Sequence, residues 1–235
     1  IVTDMHSDMT GAQIKAGDAD FSPAFEKQKS DAWCASEWTA ENLQRASNNI
    51  FGNAFYLNEG NGKFAEVSAR VGAETYWPWG VTVADFNADG YEDVFVCAGM
   101  GYPLRYAINS LLLNDAGRRF VDGEFVLGIE PRKNQRIEKE FFVLDCSGED
   151  ARNPLCRGRT GPLTVLGTTS SRSSVALDVD DDGDLDLITN EWNDHPQVLV
   201  SNLSDHRAIH YLKIKLVGTA SNRDGLGSTV RIQSG

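Results

Sequence analysis

Two short stretches of this chain place oxygen-bearing side chains at alternate positions around a glycine. The first is Asp85-Phe86-Asn87-Ala88-Asp89-Gly90-Tyr91-Glu92-Asp93, and the second is Asp178-Val179-Asp180-Asp181-Asp182-Gly183-Asp184-Leu185-Asp186. Alternate spacing lets consecutive side chains converge on one point while the residues between them point away. The glycine lets the backbone reverse, so that the carbonyl of Tyr91 or Asp184 can turn inward. Calcium is a hard ion that takes six to eight oxygens at about 2.3–2.6 Å, backbone carbonyls included, and this is the chemistry such a loop offers. The second loop carries six aspartates within nine residues. A bare cluster of that density repels itself and destabilises a compact fold unless a cation lies among the carboxylates.

A helix–loop–helix calcium site would need a bidentate Glu at the twelfth loop position. Here those positions are Val96 and Thr189, and β-branched strand formers follow each loop. That reading is rejected. The elements that must position the loops are short strands: Gly80–Ala84 and Val94–Cys97 around the first, Ser174–Leu177 and Leu187–Thr189 around the second. A further apolar run follows each pair, Ser110–Asn114 and Gln197–Asn202, and the first leads on to Phe120-Val121. An outer hairpin of the same kind occurs earlier, Ala54–Asn58 and Phe64–Val67 joined through Gly60-Asn61-Gly62, a strong hairpin signal.

Three partial copies of a four-stranded unit predict an all-β protein built from β-propeller blades. Ile1-Val2-Thr3 reads as the second strand of a blade entered part-way. Three blades do not close a ring, so the chain is expected to be an incomplete part of a larger propeller. Blades occupy residues 1–205, with insertions at about 10–50 and 122–172. The first insertion holds a helical patch, Thr39–Ala46, with Ser36 and Thr39 as N-cap candidates. Insertions of this kind fall on loops at one face of a propeller.

Four cysteines are present. Cys146 and Cys156 bracket a short polar loop with no histidine or further cysteine at zinc spacing; a disulfide worth about 2–3 kcal/mol is the preferred reading, two free thiols the other. Cys97 lies in an apolar run and is expected to be a buried small residue, while Cys34 is unassigned. The chain of 235 residues carries a net charge of −12, which argues against a nucleic-acid partner. No apolar run is long enough to span a membrane as a helix.

Catalytic signatures are absent from the sequence. His206 and His210 stand four residues apart but lead into a strand without an accompanying Glu, which disfavours zinc. His195 reads as a turn residue, and His6, beside Asp4 and Asp8, as a strand-end residue near a propeller mouth. Trp77-Pro78-Trp79 offers either an aromatic platform for a sugar or peptide, or packing between blades, the commoner fate.

The two acidic loops resemble the FG-GAP repeat of integrin-α-like, VCBS-type propellers, whose hallmark is an Asp-x-Asp/Asn-x-Asp-Gly-x-x-Asp loop between strands. The tail His210-Tyr-Leu-Lys-Ile-Lys-Leu-Val-Gly218, with Asn222-Arg-Asp-Gly-Leu-Gly227, looks like the opening of an ASPIC/UnbV segment over residues 206–235. Together they place the chain near the cartilage-acidic-protein-like family, over roughly residues 50–115 and 170–235. The resemblance implies two calcium sites. Asp85, Asn87, Asp89 and Asp93 with the Tyr91 carbonyl would form one; Asp178, Asp180, Asp182 and Asp186 with the Asp184 carbonyl would form the other. It also implies a secreted or cell-surface location, extracellular or periplasmic. The expected role is a protein- or glycan-binding or assembly module rather than an enzyme. The alternative is a polysaccharide-active enzyme, lyase or hydrolase, on the same scaffold.

Overall fold

The computed structural model describes residues 1–3, 53–75, 77–99, 108–132, 137–220 and 222–233. The helical patch at 39–46 with its caps, Cys34, and His6 with Asp4 and Asp8 lie outside the described residues. What is described is nearly all β. Strand β1 (Val2–Thr3) pairs antiparallel with β2 (Asn53–Ala54), and β3 (Tyr56–Gly60) forms the expected hairpin with β4 (Lys63–Glu66). A one-turn helix α1 (Ser68–Val71) follows, ended by Gly72 in the left-handed conformation. Next comes a complete four-stranded antiparallel sheet in chain order: β5 (Pro78–Ala84), β6 (Asp93–Ala98), β7 (Ser110–Asn114) and β8 (Phe120–Asp122). The last sheet has three strands, β11 (Ser171–Leu177), β12 (Asp186–Glu191) and β13 (Gln197–Leu199).

The central strand explains why the chain reads as blades. All six residues of β6 are buried. Because side chains alternate across a strand, its two faces serve two different neighbours. Val94 and Val96 join Ala73 and Leu112 in one core, with Phe120 of β8 in the same sheet and with Ile1 and Phe55 from earlier in the chain. Phe95 and Cys97 join Leu111 and Leu187 in a second core, with Trp79 of β5 in the same sheet and Leu199 of β13 in the following one. A sheet covered on both faces produces a continuous apolar run instead of an alternating one. The sheets therefore stack face to face as propeller blades do; among the described residues they form no closed barrel.

The inner strands β5 and β11 meet closely. Thr82 Oγ1 lies 3.0 Å from the Ser174 carbonyl oxygen and 2.6 Å from Ser174 Oγ. A Cβ at Gly80 would stand 2.7 Å from the Arg172 carbonyl oxygen, so this contact requires glycine. Trp79 is used for packing between blades: the Arg172 guanidinium lies 4.0 Å from its ring centroid, and its Nε1 donates to the Gly99 carbonyl at 2.6 Å.

The insertion at 122–172, expected to fall on loops, contains regular structure. Strands β9 (Glu138–Asp145) and β10 (Pro162–Thr168) form an antiparallel hairpin with a register shift between Val165 and Leu166. Its tip is the Cys146–Cys156 disulfide, which resolves the open alternative. The two cysteines and Leu144 make a small separate core with Phe142, Leu163 and Val165. Phe141 packs on Trp192 at 4.9 Å, and Lys139 pairs with Asp194 at 2.8 Å, tying the hairpin to the last blade.

The tail differs from expectation. The alternating run His210–Val217 forms no strand, and after helix α2 (Leu203–His206) residues 207–220 and 222–233 contain no regular element. A lone strand leaves its backbone groups unpaired and gains nothing over a solvated chain.

Candidate metal centre

Both acidic loops join an inner strand to the second strand of the same blade, and they share a backbone shape. The fourth and sixth loop residues are left-handed in each: Ala88 (φ 51°) and Gly90 (φ 92°), Asp181 (φ 65°) and Gly183 (φ 96°). Ala is a poor occupant of that region, whereas Asp and Gly are tolerated there. The last aspartate of each loop also does the same work twice. Asp93 is fully buried; its Oδ2 accepts the Phe86 amide at 3.0 Å and the Asn87 amide at 3.4 Å, and its Oδ1 accepts the Asn114 amide at 2.7 Å. Asp186, also fully buried, accepts the Val179 amide at 2.7 Å and the Ser201 amide at 2.8 Å. Each carboxylate staples the start of its loop to the chain leaving the third strand. Burial pushes the Asp93 carboxyl up, against the pull of those three amides.

The remaining loop side chains diverge between the copies. In the first loop Asp85 accepts the amides of Asp89 (2.9 Å) and Gly90 (2.8 Å), and Asp89 Oδ1 accepts the Tyr91 amide at 2.9 Å. The Asn87 amide group donates to Asp89 Oδ2 at 3.0 Å. This loop satisfies its own acceptors. In the second loop Asp180 stands where the first has Asn87, and the internal donor is gone. One oxygen from each of Asp178, Asp180 and Asp186 comes within 4.8 Å of the others. Asp182 and Asp178, by contrast, are held below the usual carboxylate range, the first by the Ser204 hydroxyl and the second by the Lys213 ammonium. The Asp180 carboxyl is pushed up, first by loss of solvent and then by the Asp182 and Asp186 charges.

The donor set fits a divalent cation. Oδ1 of the buried Asp184 accepts no hydrogen bond, and the largely enclosed Asp178 carboxylate faces the Lys213 ammonium at 2.9 Å. Such acceptors cost free energy unless something positive reaches them. Asp184, expected to contribute its carbonyl, also has a buried side chain, with Oδ2 accepting the Ser204 amide at 2.8 Å. Of the ten residues expected as ligands, the structure converges Asp178, Asp180 and Asp186 and places Asp182 and Asp184 beside them through Ser204. Asp85, Asn87, Asp89 and Tyr91 are closed into turns. Ser204, Ser201 and Lys213 were missed; each arrives from beyond the motif, and no spacing rule within the loop points to them.

The opposite end of the blades holds a buried network that the sequence did not disclose. Arg132 pairs with Glu191 and donates from Nη2 to Ser171 Oγ at 3.1 Å; Ser171 and Thr189 donate to Glu191 Oε1 at 2.7 and 2.6 Å. Glu130 accepts the Asn109 amide at 3.1 Å. These charges are paired and enclosed, as buried charges must be.

A family profile described as FG-GAP-like repeat matches residues 38–96, a span that takes in the first outer hairpin and the whole first acidic loop. No curated protein matches the sequence. No helix among the described residues is long and apolar enough to cross a membrane.

Proposed function

We propose, taking the FG-GAP-like repeat at residues 38–96 as premise, that this chain is a calcium-stabilised propeller module that binds a protein or glycan partner outside the cell or serves in an extracellular assembly. The observation that carries the calcium part is the convergence of Asp178, Asp180 and Asp186 beside the buried Asp184 Oδ1, which accepts no hydrogen bond. In this reading Asp178, Asp180 and Asp186 hold the ion, Asp186 also fixes the loop through the Val179 and Ser201 amides, and Ser204 orients Asp182 and Asp184 beside them. The ion's contribution is electrostatic: it neutralises the carboxylates and locks the loop between two strands. The first loop, with Asp85, Asn87, Asp89, Asp93 and the Tyr91 carbonyl, is the second and weaker seat, because Asn87 replaces a carboxylate and the turns are already closed. The Cys146–Cys156 disulfide supports an oxidising compartment, hence secretion or surface display.

A binding role is favoured over catalysis because the buried acids Glu130 and Glu191 are enclosed with Arg132, Ser171 and Asn109 behind the blades. Calcium titration with a chelator-treated control tests the reading. The expected result is saturable binding and a raised melting temperature with calcium, both lost in Asp178→Asn. Identical melting curves in calcium and in excess EGTA would refute it.

A further inference from the structure

Chain beyond the last blade lies directly over both acidic loops. Ser204 bonds to Asp182 through its hydroxyl and to Asp184 through its amide, and Arg207 donates to the Ala88 carbonyl of the first loop. The Tyr211 ring rests on Gly183, where any side chain would collide with it. Two residues further, the Lys213 ammonium lies 2.9 Å from Asp178 Oδ2 and contacts Asp181 Oδ1, 5.5 Å from the Tyr211 ring centroid. The Asp178 side chain is only 11% exposed, while that of Lys213 is 54% exposed. An ammonium therefore rests on a largely enclosed carboxylate while its own stem remains in solvent.

Resting on the calcium reading above, we propose that residues 207–217 are an internal competitor for the second loop: Lys213 holds Asp178 when no divalent cation is bound, and the cation displaces it. The two cations need the same oxygens. Asp178 Oδ2 cannot keep a hydrogen-bonding ammonium and also face an ion shared with Asp180 and Asp186, because two positive charges would then stand within a few ångströms of each other. Loss of the Lys213 contact removes the polar anchor that keeps Tyr211 on Gly183, and Asp181 is left to solvent. Ser204 and Arg207 are not required to move. Release is therefore confined to the chain after Arg207, and the last blade reports its metal occupancy through an exposed segment carrying Tyr211, Leu212 and Ile214.

The competition has a defined size. An ion pair with one exposed partner shifts an equilibrium by a few-fold, so removing Lys213 tightens calcium binding by about two- to fivefold. The test is calorimetric titration of the whole chain with calcium alone, for wild type, Lys213→Met, Lys213→Arg and Lys215→Met. Amide hydrogen exchange of residues 208–217 is followed in the same samples. Lys213→Met should bind more tightly, Lys215→Met should match wild type, and Lys213→Arg should restore the weaker binding. Calcium should speed exchange across 208–217 in wild type. Equal affinities for Lys213→Met and Lys215→Met, or exchange slowed by calcium, would overturn the competition while leaving the metal site standing. Absence of calcium binding in all four proteins would overturn both.

Discussion

Replacing Asp93 separates the two jobs that the acidic motif performs. In Asp93→Ala the amides of Phe86 and Asn114, which lie 3.0 and 2.7 Å from the carboxylate, lose their acceptor, and the longer Asn87 contact at 3.4 Å goes with them. A buried amide without a partner costs about 1–3 kcal/mol, and relief from enclosing a carboxylate returns part of that, so the net loss is about 2–4 kcal/mol. For a chain of this length that lowers the melting temperature by roughly 5–15 °C. The loss is a property of the polypeptide and must appear in EGTA. Asp178 behaves oppositely: the largest influence on its carboxylate is the half-exposed Lys213 ammonium at 2.9 Å. Asp178→Asn should change stability in EGTA by less than about 1 kcal/mol, the size of a half-exposed ion pair, and should remove the calcium-dependent increment instead. Urea unfolding of both variants, with and without calcium, is the assay. If Asp93→Ala is tolerated in EGTA, or Asp178→Asn is as damaging there as Asp93→Ala, the division between staple and seat is wrong.

Four further outcomes are expected. Gly80→Ala forces a methyl to within 2.7 Å of the Arg172 carbonyl oxygen and should destabilise by about 1–3 kcal/mol in thermal unfolding; a neutral result would mean the inner strands part easily. Ala88→Gly relieves a left-handed alanine and should stabilise by about 0.5–1 kcal/mol in the same measurement. Reduction of Cys146–Cys156, which encloses a separation of 10 residues, should remove about 2–3 kcal/mol and expose residues 138–168 to protease before the blades unfold. Burial pushes the Cys97 thiol up to about 11, so in a Cys34→Ser background a thiol reagent at neutral pH should label the protein only under denaturing conditions.

The blades were legible because each depends on local chemistry. Gly60-Asn61-Gly62 marks a turn, and Val94–Cys97 is apolar throughout because both of its faces are covered. Which loop carboxylate does what was not legible. Spacing orders Asp178, Asp180 and Asp186 along the chain, but only the amides of Val179 and Ser201 show that Asp186 is a brace, and Ser201 lies 15 residues away. The hairpin of β9 and β10 could have been found from Phe141–Leu144 and Leu163–Leu166 on either side of the cysteine pair; mixed charge on its outer face disguised it. His210–Val217 misled in the other direction, since alternation shows a capacity for pairing and not the presence of a partner strand.

Because β6 has no wet side, the middle sheet holds no stability of its own that could be detached from its neighbours. Its Val94 and Val96 side depends on Ile1, Phe55 and Ala73 from earlier in the chain, and its Phe95 and Cys97 side on Leu187 of β12 and Leu199 of β13. Fraying at either flank uncovers half of this strand, so loosening spreads inward, and an array so joined melts by nearest-neighbour coupling and not one repeat at a time.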